Sequence, residues 1–224
     1  MINKVKLFGE RCSGTNYLNY LIETNFNVKL LKREFGHKHG NPKIEDMQKT
    51  STDNILFVCI FRNPYDWVCS MKTKKYSCSE SLFKKHFDAY IRSEWSGETL
   101  KDYHYTTESD FSKSIKKPFK NIVDLRNHRN EAFLNLQKYV ENFKIINYDN
   151  IRETPTKLVS ILERHGITLK DKFTNPSQYI THQSKFIDKK MRKNYPIDKK
   201  NIEFINENLN WDIENKLGFY KREK

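Results

Sequence analysis

The chain has 224 residues, 37% of them hydrophobic, and its 41 lysine and arginine residues outnumber 28 aspartate and glutamate residues, giving a formal net charge of +13. This length suffices for one sizeable core. With no run of eighteen apolar residues and no charged-then-apolar leader, the sequence predicts a single domain over residues 1–224, without a membrane span, in the cytoplasm. Its four cysteines form no C-x-x-C pair, which favours reduced thiols over a disulfide framework or a zinc site.

A short apolar run at residues 5–8 leads through a loop into an expected helix start near Thr15. An α-helix leaves its first N–H groups without intrahelical partners and carries partial positive charge at that end, so an anion placed there is stabilised. Gly9 and Gly14 stand where the nucleotide-binding P-loop G-x-x-x-x-G-K-[ST] has its glycines. The segment therefore predicts a phosphate or sulfate site, and an ordinary strand-turn-helix corner is the alternative.

The match to the P-loop ends after Gly14. Thr15 replaces the lysine that reaches the β and γ phosphates, and Asn16 replaces the hydroxyl that holds magnesium, so ATP chemistry with a metal is poorly supported. Within the loop, Arg11 supplies positive charge, and the hydroxyl groups of Ser13 and Thr15 supply further donors. These residues predict an anion cradle without a metal ligand.

Residues 28–31 predict a second strand, and residues 55–61 are continuously apolar, as expected for a strand covered on both faces of a parallel sheet. Arg62 follows that strand directly, and Ser70 lies about two helical turns further on, so both can face one ligand. In open α/β sheets, ligands bind beyond the carboxyl ends of the strands. The alternative is that Arg62 pairs with Asp66 as a structural cap.

The rest of the chain continues the alternation of strands and helices. A parallel sheet flanked by helices, an α/β fold, follows from that alternation. A long surface loop or lid is expected over residues 97–120. The later predicted elements are a strand over residues 143–148 and helices over residues 80–95, 126–141, 155–165 and 198–210.

Two segments resemble the signatures of the PAPS-dependent sulfotransferases, whose donor is 3′-phosphoadenosine 5′-phosphosulfate. Residues 13–18, SGTNYL, are similar to the family loop [KR]-x-G-T-[TN]-x-L, which binds the 5′-phosphosulfate. The family's second signature is R-[ND]-P-x-[DE]-x-x-x-S, and its arginine and serine bind the 3′-phosphate; the matching residues are Arg62, Asn63, Pro64, Asp66 and Ser70. The resemblance implies a P-loop-like sulfotransferase architecture and PAPS as the donor, with no metal required.

The chain departs from the family pattern in its loop. The family's basic residue stands two positions before the glycine, where this chain has Cys12, and Arg11 lies one position earlier. The resemblance thus implies donor contacts along residues 11–16. It further implies a late basic loop that closes over the donor and contacts the 3′-phosphate, formed here by Lys189, Lys190 and Arg192.

The resemblance implies in-line transfer of a sulfonyl group to a hydroxyl or amine acceptor, for which a general base takes the acceptor proton. Histidine suits that role near neutral pH. His39 is the preferred base, His37 is the alternative, Lys38 is a candidate donor to the leaving group, and Glu10 is a further candidate base. Ordinary surface positions are the alternative for the two histidines and Lys38. His37 and His39 lack companion ligands of clear spacing for a metal site.

Other functions stay open from the sequence. A P-loop nucleotide kinase or hydrolase would need magnesium and a lysine after Gly14, and a non-catalytic nucleotide- or RNA-binding protein would use the basic surface. No nucleic-acid module is recognisable, so we expect no specific nucleic acid partner. Catalysis does not require Cys12 as a nucleophile. The acceptor class, whether glycan, small alcohol, phenol or peptide tyrosine, is not determined by these patterns.

Overall fold

A computed structural model describes residues 1–74, 78–95, 119–175 and 197–223 and two short strands between them. Within these ranges, the central sheet has four parallel strands in the order β2-β1-β3-β4. A separate antiparallel pair joins β5 to β6. The strands are β1 (Lys4–Phe8), β2 (Lys29–Leu31), β3 (Ile55–Phe61), β4 (Phe143–Asn147), β5 (Ile180–Thr181) and β6 (Ser184–Lys185).

Helices connect the strands and follow the last strand of the central sheet. A 3₁₀ turn, Leu136–Lys138, extends α6. The described helices are α1 (Thr15–Asn25), α2 (Ile44–Lys49), α3 (Pro64–Lys72), α4 (Glu80–Lys84), α5 (Phe87–Arg92), α6 (Ile122–Asn135), α7 (Tyr148–Glu153), α8 (Lys157–Glu163), α9 (Lys199–Asn208) and α10 (Trp211–Lys216). Among the described residues, none of these helices has the length and apolarity needed to cross a bilayer.

The two faces of β3 belong to different parts of the core. Leu56, Val58 and Ile60 share a buried cluster with residues of α1, α7 and α8, whereas Phe57 and Phe61 share one with residues of α2 and α6. Successive side chains of a strand point to opposite faces of the sheet, so both faces of β3 are covered and its sequence is apolar throughout. The predicted α/β fold, a parallel sheet flanked by helices, is confirmed.

The strand register brings the functional segments to one edge of the sheet. Phe8 at the end of β1 pairs with Cys59, and Phe61 at the end of β3 pairs with Asn147 at the end of β4. β2 lies on one side of β1 and β3 on the other, so the connections leave β1 and β3 in opposite directions. Such a reversal opens a crevice beyond the strand ends, where open α/β sheets bind ligands.

The single helix predicted over residues 80–95 is instead two short helices, α4 and α5. The ammonium group of Lys72 donates hydrogen bonds to the backbone carbonyl oxygens of Phe83 and Lys85. Lys85 itself is extended, with φ −62° and ψ 151°. Because this buried lysine takes up carbonyl groups that a continuing helix would use, the chain turns between α4 and α5. Sequence periodicity carries no information about such a contact.

The helix predicted over residues 126–141 begins earlier in the structure, at Ile122. The side-chain oxygen of Asn121 accepts hydrogen bonds from the N–H groups of Val123 and Asp124, both at 2.9 Å, which caps the first turn of α6. The early start brings Arg126 and Arg129 into the middle of the helix. Of the loop expected over residues 97–120, only residues 119 and 120 belong to the described ranges.

Candidate anion-binding site

The loop between β1 and α1 makes a sharp turn. Cys12 has φ 64° and Gly14 has φ 91°, both in the left-handed region, and the N–H of Ser13 donates to the carbonyl oxygen of Glu10 over 3.1 Å. A left-handed conformation is uncommon for cysteine and is found where the surrounding structure imposes it. In such a turn, successive backbone N–H groups point to one side, where they can bind an anion. The loop ends at the N-terminus of α1, whose dipole favours the same ligand.

The two glycines of the loop permit close packing within the protein. A Cβ atom on Gly9 would lie 2.7 Å from the carbonyl oxygen of Ile60, and one on Gly14 would lie 2.1 Å from Cδ2 of Tyr148. Gly9 thus holds the loop against β3, and Gly14 rests on an aromatic ring at the start of α7. The spacing that resembles a P-loop therefore reflects close contacts of the loop with β3 and α7.

Arg62 and Ser70 both contact Cys12. The guanidinium group of Arg62 is buried, donates a hydrogen bond from Nη1 to the carbonyl oxygen of Cys12 over 3.0 Å, and stands 5.3 Å from the ring centroid of Tyr148. The thiol of Cys12 donates to the carbonyl oxygen of Ser70 over 3.7 Å. The structure thus brings the two residues of the second signature to the loop of the first.

The start of α3 fixes the position of Arg62. The side-chain oxygen of Asn63 accepts from the N–H groups of Tyr65 and Asp66, at 3.1 and 3.4 Å, and the N–H of Asn63 donates to Oδ2 of Asp149 over 3.0 Å. Pro64 occupies the first turn, where its missing N–H has no consequence. Asp66, the alternative partner expected for Arg62, forms an ion pair with Arg222 over 3.4 Å.

The segment after β2 pairs with the loop after β1. The N–H of Gly9 donates to the carbonyl oxygen of Lys38 over 3.0 Å, and Nδ1 of His39 lies 2.7 Å from the carbonyl oxygen of Gly9. The ammonium group of Lys38 hydrogen-bonds to the side-chain oxygen of Asn16 in the first turn of α1. The ring centroids of His37 and His39 are 5.3 Å apart. The candidate base, His39, and the candidate proton donor, Lys38, therefore both lie at the loop between β1 and α1, residues 9–14, which is the candidate anion loop.

Burial sets the charge of the two imidazoles. It lowers the pKa of His37 to about 4 and holds the pKa of His39 well below its usual range, with the Lys38 ammonium adding to both effects. Both rings are therefore neutral at pH 7. A carbonyl oxygen only accepts hydrogen bonds, so Nδ1 of His39 carries the proton and Nε2 presents a lone pair. Desolvation by burial also lowers the pKa of Lys38.

The other loop residues are held mainly by the protein itself. Glu10 is 2% exposed; its Oε1 accepts from the N–H of Arg11 over 2.7 Å and its Oε2 lies 3.7 Å from Nε of Arg129. This enclosed, ion-paired carboxylate orients the loop, a geometry that favours His39 over Glu10 as the base. Ser13 and Thr15 are buried beside it. Burial raises the pKa of the Cys12 thiol, which keeps it protonated at neutral pH.

Some predicted residues lie outside the part of the chain that the structure describes. The late basic loop, with Lys189, Lys190 and Arg192, falls in that category, as do residues 97–118 of the expected surface loop. Among the described residues, no group of three or more histidine, cysteine, aspartate or glutamate side chains is arranged to hold a metal ion.

Four residues that contact the site were not singled out from the sequence. The ring of Tyr148 lies against Gly14 and near Arg62. For Arg126 and Arg129 the available signal was their spacing of three residues in a predicted helix, which puts two charged side chains on one face. No sequence pattern marked Trp67. The four are Trp67, Arg126, Arg129 and Tyr148.

Comparison with known proteins adds no relative. The sequence matches no protein-family model, and searches of curated proteins and of solved structures return no significant match.

Proposed function

We propose that this protein is a PAPS-dependent sulfotransferase. The observation that carries the proposal is the position of Arg62, hydrogen-bonded to the carbonyl oxygen of Cys12 beside the N-terminus of α1, at the point where the sheet order reverses. Two anion-binding elements thus meet across one crevice. They suit a nucleotide with phosphate groups at both ends, as PAPS has.

The loop and α1 are assigned to the 5′-phosphosulfate. Backbone N–H groups of residues 14–16 at the start of α1, the hydroxyl groups of Ser13 and Thr15, and the Arg11 guanidinium stabilise charge that grows on the bridging oxygen as the sulfonyl group leaves. Lys38 lies over the first turn of α1 and donates a proton or a hydrogen bond to that oxygen. Arg62 and Ser70 are assigned to the 3′-phosphate.

His39 is assigned as the general base. The acceptor oxygen or nitrogen attacks sulfur, its proton passes to Nε2 of His39, and the bond from sulfur to the bridging oxygen breaks to release 3′,5′-bisphosphoadenosine (PAP). The hydrogen bond from Nδ1 to Gly9 fixes the ring so that Nε2 is the acceptor. Positioning and charge stabilisation supply the rest of the catalysis, without a metal.

Thermal-shift and calorimetric titration with PAP, PAPS, Mg-ATP and an RNA oligonucleotide test the donor assignment. Stabilisation by PAP and PAPS supports it; stabilisation by Mg-ATP alone indicates a kinase or hydrolase, and stabilisation by RNA alone indicates a binding module. Incubation with ³⁵S-labelled PAPS and a panel of alcohols, phenols, glycans and tyrosine peptides, read by mass spectrometry, then identifies the acceptor class.

A further inference from the structure

Helix α6 contacts the segments that follow three strands of the sheet. Its contacts come from two arginine side chains, Arg126 and Arg129, each only 1% exposed. Residues three apart on a helix lie on the same face, so both guanidinium groups point toward the carboxyl edge of the sheet. These arginines lie behind the candidate site and were not part of either sulfotransferase signature.

Arg126 holds the end of β3. Its Nη2 donates to the backbone carbonyl oxygen of Arg62 over 2.8 Å, and its Nε and Nη2 form a two-pronged ion pair with Glu214 of α10, at 2.7 and 2.8 Å. Its guanidinium group also lies 5.2 Å from the ring centroid of Trp67. The indole N–H of Trp67 in turn donates to the carbonyl oxygen of Arg11 over 2.8 Å. One buried cluster therefore fixes the backbone on both sides of the crevice.

Arg129 holds the other two segments. Its Nε lies 3.7 Å from Oε2 of Glu10, in the loop after β1, and its Nη1 donates to the side-chain oxygen of Asn41 over 2.6 Å, in the segment after β2. The segment that holds His39 is thus connected through Arg129 to the loop that holds Arg11. This contact links the segment of the candidate base, His39, to the loop proposed to bind the sulfonyl donor.

Burying two guanidinium groups is unfavourable unless each is paired and hydrogen-bonded, and even then such pairs contribute little net stability compared with apolar residues of the same volume. Both pairs here are nearly inaccessible to solvent: Arg126 with Glu214, and Arg129 with Glu10. What an apolar replacement would not supply is directional contact with backbone and side-chain oxygens of the loops.

We propose that Arg126 and Arg129 are positioning residues that fix the three segments before a ligand binds. Arg126, with Trp67, sets the separation between the anion loop and Arg62, and Arg129 sets the position of the His39 segment against that loop. Preorganised loops bind an anion more tightly because they lose less freedom on binding. The role in nucleotide binding rests on the proposed function; the role in ordering the loops does not.

Two small changes test the proposal while leaving the buried ion pairs in place. Trp67→Phe keeps an aromatic ring under Arg126 and removes the hydrogen bond to Arg11 together with part of a fully buried ring. Asn41→Ala removes the side-chain oxygen, in the segment after β2, that accepts the hydrogen bond from Arg129. The matched controls are Trp211→Phe, which removes an indole hydrogen bond to the carbonyl oxygen of Asn206, and Asn142→Ala, which removes a side-chain hydrogen bond to the carbonyl oxygen of Asp53.

Hydrogen exchange followed by mass spectrometry gives the readout that is independent of ligand, and PAP affinity by calorimetry gives the second. We expect Trp67→Phe to speed exchange in residues 9–14 and Asn41→Ala to speed it in residues 37–43. Each should weaken PAP binding about three- to tenfold, the scale of one lost hydrogen bond. Denaturant unfolding should place Asn41→Ala close to its matched control in stability, whereas Trp67→Phe should lose more stability than Trp211→Phe, because the Trp67 ring is fully buried.

The conservative variant Asn41→Asp, which keeps an acceptor oxygen for Arg129, should retain wild-type exchange and affinity within about twofold. Unchanged loop exchange together with unchanged PAP affinity in both Trp67→Phe and Asn41→Ala overturns the positioning role. If the wild-type protein binds neither PAP nor PAPS, the proposed function fails. The exchange measurement then decides the ordering role by itself: faster exchange confined to the loops supports it, and unchanged exchange overturns it.

Discussion

The hydrogen bond from Nη1 of Arg62 to the carbonyl oxygen of Cys12, 3.0 Å long, joins the end of β3 to the loop after β1. The two residues are far apart in sequence and lie at the ends of neighbouring strands. A guanidinium group in this position fixes the loop and places positive charge beside the N-terminus of α1.

Replacing Arg62 by alanine should weaken PAP binding by about 1.5–3 kcal/mol, the contribution of a hydrogen bond to a charged group. Arg164→Ala is the charge-matched control, because Arg164 is exposed and follows α8, near Thr168, which contacts Asn27 at the opposite edge of the sheet. Isothermal titration calorimetry measures both variants. Equal PAP affinity of Arg62→Ala and wild type would remove Arg62 from the donor site.

Gly14→Ala should destabilise the protein by about 3 kcal/mol or more, because the new methyl group overlaps Tyr148 and the residue keeps a left-handed conformation. Gly166→Ala is the matched control: Gly166 also has a positive φ, 74°, but a Cβ there meets nothing within 4 Å. Gly166→Ala should lower the free energy of unfolding by about 1–2 kcal/mol, the cost of a left-handed backbone conformation for alanine. Urea unfolding of both variants gives the comparison, and equal losses of stability would show that Tyr148 can move aside.

The acidic limb of the pH–rate profile should lie well below pH 6.5. A general base must be unprotonated, and burial lowers the pKa of His39, so the base stays competent to lower pH than an ordinary histidine. His39→Gln should lower the rate of sulfonyl transfer by about 100-fold or more, whereas His37→Gln should lower it by less. A wild-type profile that falls with an apparent pKa of 6.5 or above contradicts the assignment.

Because of Lys6, the free energy of unfolding should increase with pH in the alkaline range. Its side chain is buried on β1 and donates to the carbonyl oxygens of Gly36 and Lys32, at 2.6 and 3.2 Å, and burial lowers its pKa from 10.5 to about 8. Between these two values the unfolded chain binds more protons than the folded one, so the free energy of unfolding rises with pH.

The test compares wild type with Lys6→Met, which lacks the titrating group. Between pH 7 and pH 9.5, the stability of wild type relative to Lys6→Met should increase by about 2 kcal/mol, from 1.36 kcal/mol per pKa unit. Titration of other groups is common to both proteins and cancels in the difference. Guanidinium unfolding curves at the two pH values supply the measurement, and a difference that stays constant or falls would place the Lys6 amine in a solvated environment.

Several elements follow directly from local sequence. Residues 55–61 are predicted as a buried strand and form β3 with the same bounds, because a strand covered on both faces needs apolar residues at every position. The start of α3 follows from Pro64 and the capping side chain of Asn63. The helices α4 and α5 could not be separated in advance, since the contact that divides them comes from Lys72, on a different element.

Local sequence patterns predicted the parallel α/β fold and singled out the loop after β1, Arg62 and the histidine pair as candidate site residues, because apolar runs, glycines and caps act through neighbours in the chain. Tertiary structure alone decided that Tyr148 lies against Gly14, that Glu10 is enclosed by Arg129, and that α6 connects three loops. The reason is physical: these contacts join residues distant in sequence, and their geometry depends on strand order and register, which local patterns leave unspecified.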